Sequence, residues 1–291
     1  MDFGNYIQRV RMDSGKSLLA TGVYLEVSRQ TIMRLEDGLP TKLTTPQIKV
    51  MLDFYGASQE VGAETLMLWR ECKAQEKTAK AQGNSKGFWE SYSDQVASHY
   101  PRYLRLEDAS NRILTHQLVL VPGLLQTAEY RRAVAKIDKP SISAVDIERR
   151  IELNRKRQSV LDNREVRFTA LISEAVLRHR PGGARVMAGQ LRAIAESSER
   201  DNINVHVIPF EAGSHPGLAI QSFTLLEFPP GLSGLTSPPV VYLNGAMGAL
   251  YHEQQEAIAT YGDAITGLRA VALNEDDTRN LLSHVAKEYQ A

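Results

Sequence analysis

Apolar residues at Phe3, Tyr6, Ile7 and Val10 recur at i, i+3, i+4 and i+7, the spacing of one helix face, and the pattern predicts a helix ending at Gly15. Ser17 stands where it would cap a second short helix carrying Leu18, Leu19 and Leu25. Ser28 would cap a third, with Ile32 and Leu35 facing inward and Gly38 at its end. Pro46 opens a fourth through Val50, Met51 and Phe54 to Gly56, and a fifth carries Val61, Leu66, Leu68 and Trp69. So dense a run of short helices predicts an all-α N-terminal domain, taken as residues 1–75.

The stretch KAQEKTAKAQGNSKG (73–87) is poor in apolar residues and broken by Gly83 and Gly87, so residues 76–87 read as a linker. Beyond it the texture changes. VRFTALI (166–172), INVHVIPF (203–210), QSFTLLEF (221–228) and VVYLN (240–244) have strand character, and helical patterns run over 145–161, 185–199, 253–269 and 275–289. Residues 88–291 are therefore expected to form a larger α+β domain, giving an all-α helix-turn-helix domain followed by an α+β C-terminal domain.

Charge narrows the partners. The chain has zero formal net charge and a pI near 7.1, so no global field attracts nucleic acid or membrane, and any such partner must be met locally. A single cysteine, Cys72, excludes an internal disulfide framework and is typical of a reducing compartment. The start of the chain lacks a signal-peptide pattern, and the charge-free stretch at 228–251 is interrupted by Pro and Gly, so a cytoplasmic protein without membrane partners is expected.

Catalytic patterns are missing. The histidines at 99, 116, 179, 206, 215, 252 and 284 form no i, i+3 or i+4 pair, PGLSG (230–234) is not a nucleophile elbow, and no phosphate-binding glycine loop follows a strand. We expect no enzyme activity, no metal and no cofactor. LVLVPGLLQTAEYRRAV (118–134) predicts an apolar segment, a turn and a helix packed through Leu125, Tyr130 and Val134. The Gly-rich RHRPGGARVMAGQL (178–191) reads as a connector into a helix, and His215 as a loop histidine.

The chemistry that remains lies in VSRQTIMRLEDG (27–38). Two short helices joined tightly, the second starting on Ser28, have the layout of a helix-turn-helix, whose second helix enters the major groove of double-stranded DNA. Arg29, Gln30 and Thr31 fall in its first turn. Arg pairs with guanine and Gln with adenine in bidentate fashion, each pair contributing about 1–3 kcal/mol of discrimination. Arg34 can reach a base or a phosphate, while Thr41 and Lys42 in the following loop, and Ser28 at the helix start, are placed for phosphates. Residues 1–56 hold seven Lys and Arg against six Asp and Glu, a balance of +1, so counterion release is small and a homodimer on paired half-sites is expected.

Val27, Ser28, Ile32, Arg34, Glu36 and Gly38 fit the pattern V-S-x-x-x-I-x-R-x-E-x-G, and with MLDFYGAS (51–58) this segment resembles the Xre family of helix-turn-helix regulators. That family usually has Gly or a small residue at the turn, where this chain has Glu26, and Gln and Leu-Ala in the preceding helix, where it has Leu18, Thr21 and Gly22. Further on, FWESY, LVPGLLQTAEYRRA, RKRQSVL, ISEAVLRHRPGG, MAGQL, INVHVIPFEAGSHPGL, FTLLEF and VVYLN follow the order of the WhiJ-like, antitoxin-like C-terminal domain of actinobacterial regulators. The resemblance implies a transcriptional regulator, often encoded beside a small BldB-like protein that binds it, and supplies no catalytic residues. Two other expectations stand beside it: an antitoxin-like protein that chiefly neutralises such a partner, and a small-molecule sensor.

Overall fold

The computed structural model describes residues 2–81, 88–97, 99–231, 234, 236–245 and 247–290. The chain divides into two compact units, Met1–Lys86 with Pro229–Ser237, and Gly87–Phe228 with Pro238–Ala291.

The first unit is helical: α1 (Asp2–Asp13), α2 (Leu18–Tyr24), α3 (Arg29–Glu36), α4 (Thr45–Tyr55) and α5 (Gln59–Ala81). Caps explain the boundaries. Ser17 accepts a hydrogen bond from the Ala20 amide and Ser28 from that of Thr31, and Gly56 ends α4 at φ +67°, a conformation that costs glycine little. Phe3, Ile7, Ile32, Leu35, Ile48, Met51 and Trp69 form the core.

Two of the apolar residues that mark these helices lie outside the core: Leu19 is 61% exposed, and Val50 is 43% exposed. In α2 the buried positions are Thr21 and Gly22 instead. A Cβ on Gly22 would stand 2.9 Å from the Val27 carbonyl oxygen, so the helix meets the following turn through backbone and not through a large side chain. Thr21 Oγ1 donates to Ser17 O at 3.0 Å and accepts from Tyr55 at 3.2 Å, which satisfies a buried hydroxyl. The 76–81 part of the expected linker is the end of α5, and residues 82–87 lie outside those described.

The second unit contains α6 (Tyr100–Asp108), α7 (Ala128–Asp138), α8 (Ala144–Gln158), α9 (Glu174–Arg178), α10 (Ala184–Ser197), α11 (Gln255–Val271) and α12 (Glu275–Glu288). They surround a six-stranded mixed sheet of β1 (Arg112–Gln117), β2 (Arg167–Ser173), β3 (Ile203–Ile208), β4 (Phe223–Glu227), β5 (Val240–Gly245) and β6 (Gly248–His252), in the order β3-β2-β1-β4-β5-β6. The β1, β2 and β3 strands are parallel, and β4, β5 and β6 continue the sheet antiparallel to their neighbours.

Alternation along the strands separates two faces. Ile113, Phe168, Ala170, Val205, Leu226 and Tyr242 pack with α6, α10 and α12 through Leu104, Leu191, Leu282 and Val285. Leu171, Phe223 and Val241, on the opposite face, pack with Ile265 and Leu268 of α11. β1 and β6 carry no expected strand. β1 places Thr115, His116 and Gln117 in succession, so it lacks the apolar alternation of its neighbours, yet it is the strand between β2 and β4. No helix among the described residues is long and apolar enough to cross a membrane.

Candidate functional site

The polar outer face of α3 rests on a buried base. Ile32, Leu35 and Glu36 turn α3 inward, at 0%, 3% and 5% exposure. Arg11 of α1 donates to both Glu36 oxygens, from Nε at 2.6 Å and NH2 at 2.9 Å, and from NH1 to Lys16 O at 3.0 Å. The carboxylate raises the pKa of Arg11 through these hydrogen bonds. Gly4 allows the crossing of α1 over the end of α3, since a Cβ there would fall 2.4 Å from Glu36 O. Arg11 is a positioning residue that sequence reasoning passed over. Glu36 stood inside the E-x-G motif, but nothing local to it signals a partner twenty-five positions upstream.

On the outer side, Ser28, Arg29, Gln30, Met33 and Arg34 are exposed and Thr31 is half-buried. Ser28 Oγ accepts from the Thr31 amide at 3.1 Å and lies 2.9 Å from Thr31 Oγ1, so Thr31 is partly committed to the cap. Arg34 reaches back and donates to Pro40 O at 3.3 Å, a weak contact that orients it along the loop after α3. Lys42 is exposed in that loop. Thr41 is half-buried, and its Oγ1 is buried with no hydrogen-bond partner among the described residues. Arg29, Gln30 and Arg34 thus share an exposed helix with Ser28 at its start, whereas Thr41 is turned partly inward. Glu26, in the turn between α2 and α3, has φ +55°, a left-handed conformation that a side chain adopts at some cost.

In the second unit the 118–134 segment is built around two buried amides. Pro122 leads into a 3-10 turn at Gly123–Leu125, and Thr127 caps α7. Gln126 Nε2 donates to Val121 O at 2.8 Å, and Tyr130 Oη accepts from the Val121 amide at 3.1 Å. Gln190, wholly buried in α10, donates to Leu125 O at 2.7 Å and accepts from the Thr127 amide at 2.8 Å. As expected, Leu125 and Tyr130 are buried and Val134 is half-buried. The Gly-rich connector places Gly182 and Gly183 at positive φ before α10. His215 is half-buried in the loop between β3 and β4, and its Nδ1 finds no partner among the described residues. Nor do those residues contain a His, Cys, Asp and Glu cluster able to hold a metal ion.

No curated protein and no solved structure matches this chain. A family model does match residues 100–284, a span that takes in the whole sheet, the 118–134 segment and most of α12. The chain therefore belongs to the family described as Domain of unknown function (DUF5753).

Proposed function

We propose that this protein is a sequence-specific DNA-binding transcriptional regulator in which α2, the turn at 25–28 and α3 form a helix-turn-helix. The observation that carries this reading is the division of α3 into an anchored face, Ile32, Leu35 and Glu36, and an exposed face bearing Arg29, Gln30 and Arg34. Side chains of that chemistry in the first turns of a helix match the donor and acceptor pattern of base edges in the major groove. Ser28 and Lys42 hold the phosphates on either side, and Thr41, with its buried Oγ1, contributes through its backbone or by a change of rotamer.

The weak balance of charge in residues 1–56 favours a homodimer reading two half-sites. The C-terminal domain would then bind an effector or a small BldB-like protein, as the resemblance implies, in a cytoplasmic regulator without catalytic activity. The test is selection of bound sequences from a random DNA pool with the full chain. A defined motif is expected, and its loss of preference at one base pair in Arg29→Ala and at another in Gln30→Ala. The same motif from the wild type and both variants would refute the assignment of α3.

A further inference from the structure

The two edges of the C-terminal sheet are finished differently. β3 ends one side, and its outward groups are met by its own chain: the Val207 amide donates to Thr278 Oγ1 at 3.1 Å, and the Val207 carbonyl accepts from the Leu273 amide at 2.8 Å. β6 ends the other side, paired with β5 alone among the described residues. Edge strands are normally blunted by charge, proline or a covering segment, because bare N–H and C=O groups recruit another strand. β6 (GALYH) carries no Asp, Glu, Lys, Arg or Pro, and its middle residue, Leu250, is 60% exposed.

The hairpin fixes which groups are bare. Gly245 pairs with Gly248, and a pair that closes so short a loop is hydrogen-bonded. Bonding then alternates along the strand: Gly248, Leu250 and His252 bond to β5, while Ala249 and Tyr251 turn their N–H and C=O groups outward. A second β6 laid antiparallel must set outward residues against outward residues. A two-fold axis centred on Leu250 puts Ala249 opposite the partner's Tyr251, twice over, and so uses every bare group of the strand. Centred on Ala249 or on Tyr251, it uses fewer.

The side chains agree with that register. Leu250 meets its own counterpart in a non-hydrogen-bonded pair, the closer kind, with Cα atoms about 4.5 Å apart. Gly248 faces the partner's His252, and Ala249 the partner's Tyr251, a small residue against a large one each time. No charge stands opposite a like charge: Glu253, held by Arg102 at 2.6 Å, meets the partner's Met247, which is wholly exposed in the single chain.

We propose that β6 is a homodimerisation edge, at which two copies of this chain join antiparallel about Leu250 into one continuous sheet. The dimer is the one that the DNA-binding reading calls for, but its surface rests on the C-terminal sheet alone.

The test is sedimentation equilibrium of the full chain without DNA, so that a failure here leaves the assignment of α3 untouched, and a failure to select a DNA motif leaves β6 untouched. A dimer is expected. Leu250→Lys, which sets two ammonium groups face to face at an exposed site, should raise its dissociation constant at least about 10-fold with the far-UV circular dichroism unchanged. In a Cys72→Ser background, Leu250→Cys should form an intermolecular disulfide under mild oxidation, since about 4.5 Å between Cα atoms lies in the range for that bond. Met247→Cys, more exposed but roughly 20 Å from its counterpart in this register, should link at least about 10-fold more slowly. A wild type that stays monomeric up to its solubility limit, a dimer indifferent to Leu250→Lys, or cross-linking of Met247→Cys as fast as that of Leu250→Cys would each overturn the proposal.

Discussion

Arg157 and Glu107 meet in a buried two-point ion pair, Nε to Oε1 at 2.8 Å and NH2 to Oε2 at 2.9 Å, with both side chains less than a tenth exposed. Tyr103 adds a donor to the same carboxylate at 2.6 Å, and the guanidinium lies 5.5 and 5.6 Å from the ring centres of Tyr100 and Tyr103. Such a pair is more costly to break than to replace. Glu107→Leu should destabilise the protein by about 3–5 kcal/mol in chemical denaturation, and the double change Glu107→Leu with Arg157→Met should cost less than that single change. A double variant no better than the single one would mean that the pair is not what Glu107 contributes.

Gln190 takes part in two backbone hydrogen bonds, accepting from the Thr127 amide and donating to the Leu125 carbonyl. Gln190→Leu keeps much of the volume but leaves both main-chain groups without partners in a dry place. Each such loss costs about 1–3 kcal/mol, so a fall of about 2–6 kcal/mol is expected in urea denaturation. Hydrogen exchange should accelerate at Thr127 first.

Glu26 offers a gain. Its left-handed φ of +55° carries a penalty that glycine does not incur, partly offset by the greater freedom of glycine in the unfolded chain. Glu26→Gly should raise stability by about 0.5–1 kcal/mol, visible as a higher melting temperature of the helical unit, with any DNA preference unchanged.

Arg29, Gln30 and Lys42 should separate by their effects on DNA. Arg29→Ala and Gln30→Ala should each lose about 1–3 kcal/mol at one base position and little elsewhere. Lys42→Ala should weaken all sequences alike and lower the slope of log affinity against log salt by about 0.9 per protomer. Binding isotherms over a salt series distinguish the two behaviours.

His116 gives the C-terminal domain a dependence on pH. It is fully buried, with Nδ1 3.1 Å from Leu171 O, and burial lowers its pKa below the ordinary value of 6.5. The unfolded chain therefore takes up a proton more readily than the folded one does. The stabilisation is complete above about pH 6.5 and is lost as pH falls below it, at no more than about 1.4 kcal/mol per pH unit. Melting temperatures between pH 7.5 and 5 should decline, and His116→Gln should flatten that limb.

The N-terminal helices were legible because caps and breakers, Ser17, Ser28, Pro46 and Gly56, act within one turn of their own positions. β2, β3, β4 and β5 were legible from their apolar runs. β1 was not, since its place in the middle of the sheet comes from partners at Arg167–Ile172 and Phe223–Glu227 and not from its own residues. The polarity of Leu19 and Thr21 likewise misleads: the close approach that buries Thr21 and Gly22 is a property of two backbones.

The position of β1 also bears on how the chain emerges from the ribosome. Its pairing with β2 must wait for residue 167, but its other edge stays open until residue 223, and Thr115 meets Thr224 across 109 positions. At about 5–20 residues per second that edge is bare for roughly 5–20 seconds of synthesis. A strand exposed so long invites pairing with another nascent chain. The Thr-His-Gln sequence that made β1 hard to read as a strand is then a safeguard, because a polar run is a poor seed for aggregation during the interval in which β1 waits for β4.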